Sequence, residues 1–313
     1  MSLVSIVILT YNRINILIDV IKKLKNLTYK NIEIIIINNN SSDGTKTKIP
    51  ELFPEIKFIS LKTNIGVSAL NYGLKEAKGE FIMQLDDDSY PEENAIEKGL
   101  IEFTKNRKLG LIAFKVINLQ FGICETIDYE KKPKTFNGCG VMFRTIIFIN
   151  AGFYNKNIFI YQNEIDLTLR VINAGYSTLY LDEAIVYHLQ TIYARENKNS
   201  NPFLSEFRFQ HSYFSYFVFL YENFNTYYIV KYGIKLFISN MIIAAFFGFY
   251  CAFYKTTLKI IKVTINKELK KNKINKKTQM FYNNGKPAWI DRVFFPNFTR
   301  SKLFSLIKAK PTK

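Results

Sequence analysis

The chain has 313 residues, enough for a full-sized catalytic domain and a smaller appended region. Its 48% hydrophobic content, with 28 Phe and 20 Tyr, excludes a disordered chain, because that much apolar surface can offset the entropy of ordering. Of the net charge of +17, residues 201–313 carry +15, from 19 Lys or Arg against 4 Asp or Glu; their apolar, aromatic character selects anionic lipid over nucleic acid as the partner.

The run Ser5 to Leu9 is a short β-rich strand, and Ile14, Leu17, Ile18, Ile21 and Leu24 follow a helical face. The start, Met1 to Tyr11, has neither a basic nor a long apolar leader segment, so a cytosolic catalytic domain is expected. Ile32 to Ile37 is nearly continuous in β-branched residues, as in a parallel strand covered on both sides, and ends in the turn-forming Asn38 to Thr45. Lys57 to Leu61 reads as strand, Val67 to Ala77 as helix, and Glu80 to Leu85 as strand running into Asp86-Asp87-Asp88. This alternation predicts a mostly parallel sheet, with the loops Thr10 to Arg13, Asn38 to Thr45 and Asp86 to Pro91 all beyond the carboxyl ends of its strands, where such sheets bind ligands. Further on, Leu109 to Ile117 and Gly138 to Arg144 read as strands and Glu164 to Asn173 as a helix stopped by Gly175. Ser177 to Asp182 and Ala184 to His188 read as extended. The boundary near Asn199 to Pro202 divides the chain into 1–200 and 201–313. Cys124, Cys139 and Cys251 form no CxxC pair and suit a reducing compartment.

Three adjacent carboxylates repel one another unless a cation sits on them. In an extended segment Asp86 and Asp88 face the same side and could share one ion, Mg2+ or Mn2+ by the hardness of oxygen ligands, with a solvated turn or a helix cap as the alternative.

The blocks ILTYNR, NNNSSDGT, NIGVSALNYGLKEAKGEFIMQLDDDSYP, NGCGVMFR, NEIDLTLRVINAGY and AIVYH, in that order from Ser5 to His188, resemble family 2 glycosyltransferases of the GT-A fold. Two positions depart from the pattern: Asn38 stands where Asp is common, and Asn163-Glu164 where Glu-Asp is common. The resemblance implies a GT-A-type mixed, mostly parallel α/β sheet with flanking helices and an inverting transfer of a sugar. The donor would be a nucleoside-diphosphate sugar, and the acceptor a hydroxyl of a glycan or lipid-linked glycan. It assigns Glu164 as catalytic base, and Thr10, Asn12, Arg13, Asn38, Asn39, Asn64, Gly66, Asp86 and Asp87 to the nucleotide sugar. Asp86, Asp88 and His188 would hold the divalent metal. Read as residues alone, Asp166 and Arg170 are an i, i+4 helix pair, and Glu164 a first-turn Glu favoured by the helix dipole. A sugar-phosphate nucleotidyltransferase is the alternative enzyme, though its first-strand loop would carry glycine where Thr10 to Arg13 has none. A catalytically silent membrane-surface module is the alternative from another class.

In the tail, the 19 uncharged residues Leu236 to Tyr254 lie between Lys231 and Lys235 on one side and Lys255, Lys259 and Lys262 on the other. A spanning helix needs ~20 residues, so the expectation is a C-terminal helical region held peripherally or monotopically on the cytoplasmic face of a membrane, with a helix packed on the enzyme as the alternative.

Overall fold

The structure, a computed structural model, describes residues 1–126, 128, 130–189 and 205–283. Two compact units divide the chain at 215/216, whereas the sequence reading set the boundary near 200, which lies outside the described residues.

The first unit is built on a mixed eight-stranded sheet in the order β3-β2-β1-β4-β7-β6-β8-β5. Its strands are β1 (Val4–Thr10), β2 (Ile32–Asn38), β3 (Lys57–Ser60), β4 (Phe81–Asp86), β5 (Ser89–Pro91), β6 (Leu109–Asn118), β7 (Val141–Arg144) and β8 (Ser177–His188). β3, β2, β1 and β4 run parallel; β7 is antiparallel to both β4 and β6; β8 is parallel to β6 and antiparallel to β5. The extended stretches at 177–182 and 184–188 thus form one strand.

The helices of this unit are α1 (Ile14–Lys25), α2 (Thr45–Leu52), α3 (Leu70–Glu76), α4 (Ala95–Lys105), α5 (Ile147–Asn150) and α6 (Asn163–Asn173), followed by α7 (Glu206–Asn223), within which the units divide. Strand alternation sets the two cores. Val4, Ile6 and Ile8 of β1 meet Leu17, Val20, Ile21 and Leu24 of α1 and Ile96 and Phe103 of α4 on one face. Val7 meets Leu70 and Leu74 of α3 and Leu167 and Val171 of α6 on the other. Each fully buried Leu, Ile or Val side chain contributes ~1.5–3 kcal/mol relative to its exposed state, so the two-sided burial foreseen for β2, and shared by β1, stabilises the sheet.

The second unit contains α8 (Thr226–Phe247), α9 (Tyr250–Ile265) and α10 (Lys276–Asn283). Asn225 Oδ1 caps α8 by accepting from the Tyr228 amide, and Gly248 ends it in the left-handed conformation at φ 79°. The expected 19-residue apolar segment is therefore not one helix: Gly248 breaks it, and its last residues open α9, whose Phe253 packs at 5.3 Å on Phe237 of α8. Among the described residues α8 alone is long and apolar enough to cross a membrane, with 22 residues and a mean hydropathy of 1.5. Its polarity is inverted. Leu236, Ser239, Asn240 and Ala244 are buried, while Ile234, Phe237, Ile238, Met241 and Ile242 are exposed.

Candidate active site

The parallel register brings three loops to one edge of the sheet. Thr10 pairs with Asn38, Leu9 with Asp86, and Asn38 with Ser60, so the loops after β1, β2 and β4 leave side by side. The first is pinned to the second. Asn12, left-handed at φ 55°, donates its amide to Ser41 Oγ and accepts the Ser42 amide on Oδ1, and the Asp43 carboxylate takes the Ile14 amide at the head of α1.

After Asp86 the chain does not continue extended. Asp87 and Asp88 occupy a tight turn closed by Ser89 Oγ, which accepts from the Asp86 amide and donates to the Cys139 carbonyl. The alternation expected to aim Asp86 and Asp88 together thus does not operate. Instead Asp87 and Asp88 meet on one nitrogen: Arg13 Nη1 lies 2.7 Å from Asp87 Oδ1 and 2.6 Å from Asp88 Oδ2. Asp87 also accepts from Thr10 Oγ1 at 2.9 Å and from the Tyr11 amide. Burial pushes Asp87 up to about 6 against the pull of Arg13, with the charges of Asp88 and Asp86 adding to the rise.

Long-range pairing delivers His188. β5 and β8 run antiparallel with Ser89 opposite His188, and the Leu189 amide donates to the Asp88 carbonyl. The imidazole stands between two carboxylates, Nδ1 2.6 Å from Glu125 Oε2 and Nε2 3.3 Å from Asp88 Oδ1. Burial opposes its charging, yet the neighbouring carboxylates of Asp88 and Glu125 push it up to about 9.

The resemblance implies a divalent metal at this place. Among the described residues no three His, Cys, Asp or Glu side chains converge on a point. His188 Nε2 is nevertheless buried outside hydrogen-bonding geometry and faces Asp88 Oδ1. A borderline nitrogen beside a hard oxygen suits a divalent ion, which His188 and Asp88 would hold.

Glu164 opens α6, preceded by two consecutive left-handed residues, Tyr161 (φ 66°) and Gln162 (φ 62°), a strained entry of the kind that concentrates at functional sites. Its carboxylate lies against Gly138, where a Cβ would come within 3.2 Å of Oε1. Gln84 Nε2 donates to the Gly138 carbonyl, and the Tyr154 hydroxyl donates to Gln84 Oε1 at 2.6 Å. Partly exposed at its surface but sunk among these groups, Glu164 is pushed up to about 7 by burial, with Asp86 adding to the effect. On the same helix Asp166 holds Arg170 at 2.8 Å, and Arg170 also donates to the Ala151 and Phe153 carbonyls, so this pair braces the loop before α6.

The remaining expected nucleotide residues build the loops. Asn38 donates to Ser60 Oγ and accepts the Ser41 amide; Asn39 donates to Asn64 Oδ1 and the Gly66 carbonyl and accepts the Ile65 amide. Gly66 is required at φ 69°, but what approaches it is protein: a Cβ there would lie 2.0 Å from the Phe159 carbonyl oxygen, which accepts from the Val67 amide. Glu125, Gln84, Tyr154 and Gly138 escaped assignment. A polar Gln84 inside the apolar FIMQL strand was a visible signal, whereas Glu125 lies in an irregular segment with no periodicity to read.

Residues 5–135 match the model described as glycosyl transferase family 2. An uncharacterised glycosyltransferase of Rickettsia typhi is 26% identical over 201 residues, 59% of this chain and 62% of that one. The poly-beta-1,6-N-acetyl-D-glucosamine synthase of Staphylococcus epidermidis is 37% identical over 112 residues, 35% of this chain and 27% of its own. Among solved structures, GalNAc-T7 with UDP, GalNAc and Mn2+ has a TM-score of 0.64 at 14% identity, covering 94% of this chain and 58% of that one, a likeness of fold. The chain spans less than two thirds of each of these three relatives.

Proposed function

From the family 2 glycosyltransferase domain that this chain carries over residues 5–135, we propose that it transfers a sugar from a nucleoside-diphosphate sugar to a hydroxyl of a glycan or lipid-linked glycan, with inversion. The observation that carries this reading is the placement of one carboxylate, Glu164, against Gly138 and near the acidic strand end, where burial and the charge of Asp86 push it up to about 7. A base working near neutrality should have its pKa there, since the proton taken from the acceptor hydroxyl must be both accepted and released. One positioned base acting on the face opposite the leaving group gives direct displacement. Asp88 and His188, with Asp86 two residues before, would hold a Mn2+ or Mg2+ ion, which supplies charge stabilisation to the departing diphosphate. Gln84 and Tyr154 hold the Gly138 turn that leaves Glu164 room.

The test is a panel of UDP- and GDP-sugars, with product anomers read by NMR in the presence and absence of Mn2+. Manganese-dependent turnover with inverted product supports the reading; a retained configuration overturns the single-base mechanism. Asp88→Ala should abolish metal-dependent binding of a nucleoside diphosphate in calorimetry, and unchanged affinity would remove the metal from Asp88.

A membrane surface as partner rests on the second unit. The exposed apolar side of α8 and the lysines Lys231, Lys235, Lys255, Lys259 and Lys262 on α8 and α9 suit apolar burial combined with attraction to anionic headgroups, worth ~1 kcal/mol for each lysine at the surface. Attachment is peripheral or monotopic, with the catalytic domain on the cytoplasmic side.

A further inference from the structure

The geometry points to Arg13 as a resident cation of the acidic turn, one that a divalent ion must displace and that then serves the diphosphate. Asp87 and Asp88 are 4% and 0% exposed, and two carboxylates this close in a buried turn need positive charge to stay ionised. Arg13 supplies it with one nitrogen, Nη1 contacting both acids. Among the described residues the guanidinium makes no other hydrogen bond, so Nε and Nη2 remain available, and the side chain keeps 18% of its surface exposed. A side chain serving only to lock the turn would turn its planar fork onto the carboxylates in two parallel bonds; here a single nitrogen, Nη1, meets both acids.

The backbone beneath Arg13 is fixed while its side chain is a long lever. Asn12 is tied to Ser41 and Ser42, and the Ile14 amide to Asp43, so Arg13 can move its guanidinium by ångströms without moving the loop. A cation arriving alone competes with Arg13 for the Asp88 carboxylate. A cation arriving with a diphosphate does not, because the phosphate oxygens receive the guanidinium as it leaves. The site thereby favours the metal–nucleotide complex over either component, a coupling that is reciprocal between the two ligands.

The experiment measures Mn2+ alone, then UDP and GDP with Mn2+ present, by calorimetry on the full chain and on Arg13→Gln and Arg13→Lys, with melting curves alongside. Arg13→Gln should bind Mn2+ alone about tenfold tighter than wild type and gain more melting temperature from Mn2+, while binding the nucleotide about tenfold more weakly. A merely structural role would lower both affinities. Arg13→Lys keeps the charge and should hold Mn2+ affinity near the wild-type level while still weakening the nucleotide, which keeps the test decisive if the Gln variant fails to fold. Mn2+ affinity in Arg13→Gln equal to or below wild type overturns the proposal, as does a Lys variant that binds nucleotide normally. The nucleotide arm rests on the glycosyltransferase reading; if wild type bound neither UDP nor GDP that reading would fall, and the Mn2+ arm would still decide on Arg13.

Discussion

At Glu164 burial in the fold pushes a helix-first-turn carboxylate up to about 7, and three consequences follow. Glu164→Gln removes the charge with almost no change of volume, so nucleotide-sugar affinity should persist while kcat falls about 10²–10⁴-fold; near-normal turnover in steady-state kinetics would return Glu164 to a helix-dipole role. Because the base must be ionised, kcat/KM should rise with pH up to about 7 and level off above it. The stability effect has the opposite sense. A carboxyl raised from 4.5 to about 7 in the fold binds more protons folded than unfolded, so its contribution is full below 4.5 and is lost as pH rises through about 7. Melting temperatures of wild type and Glu164→Gln should therefore draw apart between pH 5 and 8, with wild type losing more. Glu164 stood out as a candidate from its block and its place in the first turn of α6. Its environment was not legible, because Gln84 and Asp86 of β4, Gly138 and Tyr154 reach it from three separate stretches of chain.

Among elements, two glycines, Gly44 between β2 and α2 and Gly66 between β3 and α3, separate what a glycine does by conformation from what it does by contact. Gly44 and Gly66 both have positive φ, at 89° and 69°, but nothing lies within 4 Å of a Cβ on Gly44, whereas one on Gly66 would meet the Phe159 carbonyl at 2.0 Å. Gly44→Ala should cost only the left-handed strain, ~1–2 kcal/mol. Gly66→Ala should cost more than that, and should also weaken nucleotide binding by displacing the Asn39–Asn64 network. Denaturant melts and UDP titration of both variants check the contrast, and equal losses would refute it. Periodicity had found α1, α6, β1, β2 and β4 because their burial is one-sided or complete and therefore patterned. It could not see that 87–88 is a turn, since a turn with long-range partners such as Arg13 and Cys139 leaves no local repeat.

For the whole molecule, the uneven charge predicts how it meets a membrane. The full chain should sediment with anionic vesicles and be released in part by high salt, since screening removes the lysine contribution but not apolar burial. Phe237→Asp with Ile238→Asp places charge on the exposed side of α8 and should abolish the salt-resistant fraction; binding that persists would place the anchor elsewhere in the chain. Composition and spacing by themselves determined the class of fold, the basic tail and the acidic strand end, and the resemblance of ordered blocks singled out the residue at the head of α6, because each is written in contiguous residues as a period, a charge run or a block. What only the tertiary structure decided is who meets whom. β5 pairs with β8 and so sets His188 beside Asp88, Arg13 crosses to the acidic turn, and Gly248 divides the apolar tail into two helices. The first two depend on pairings across about 75 to 100 residues of chain, where closure entropy is recovered only once the sheet has formed, so no local window of sequence contains them. The third turns on one residue's left-handed backbone, which hydrophobicity does not record.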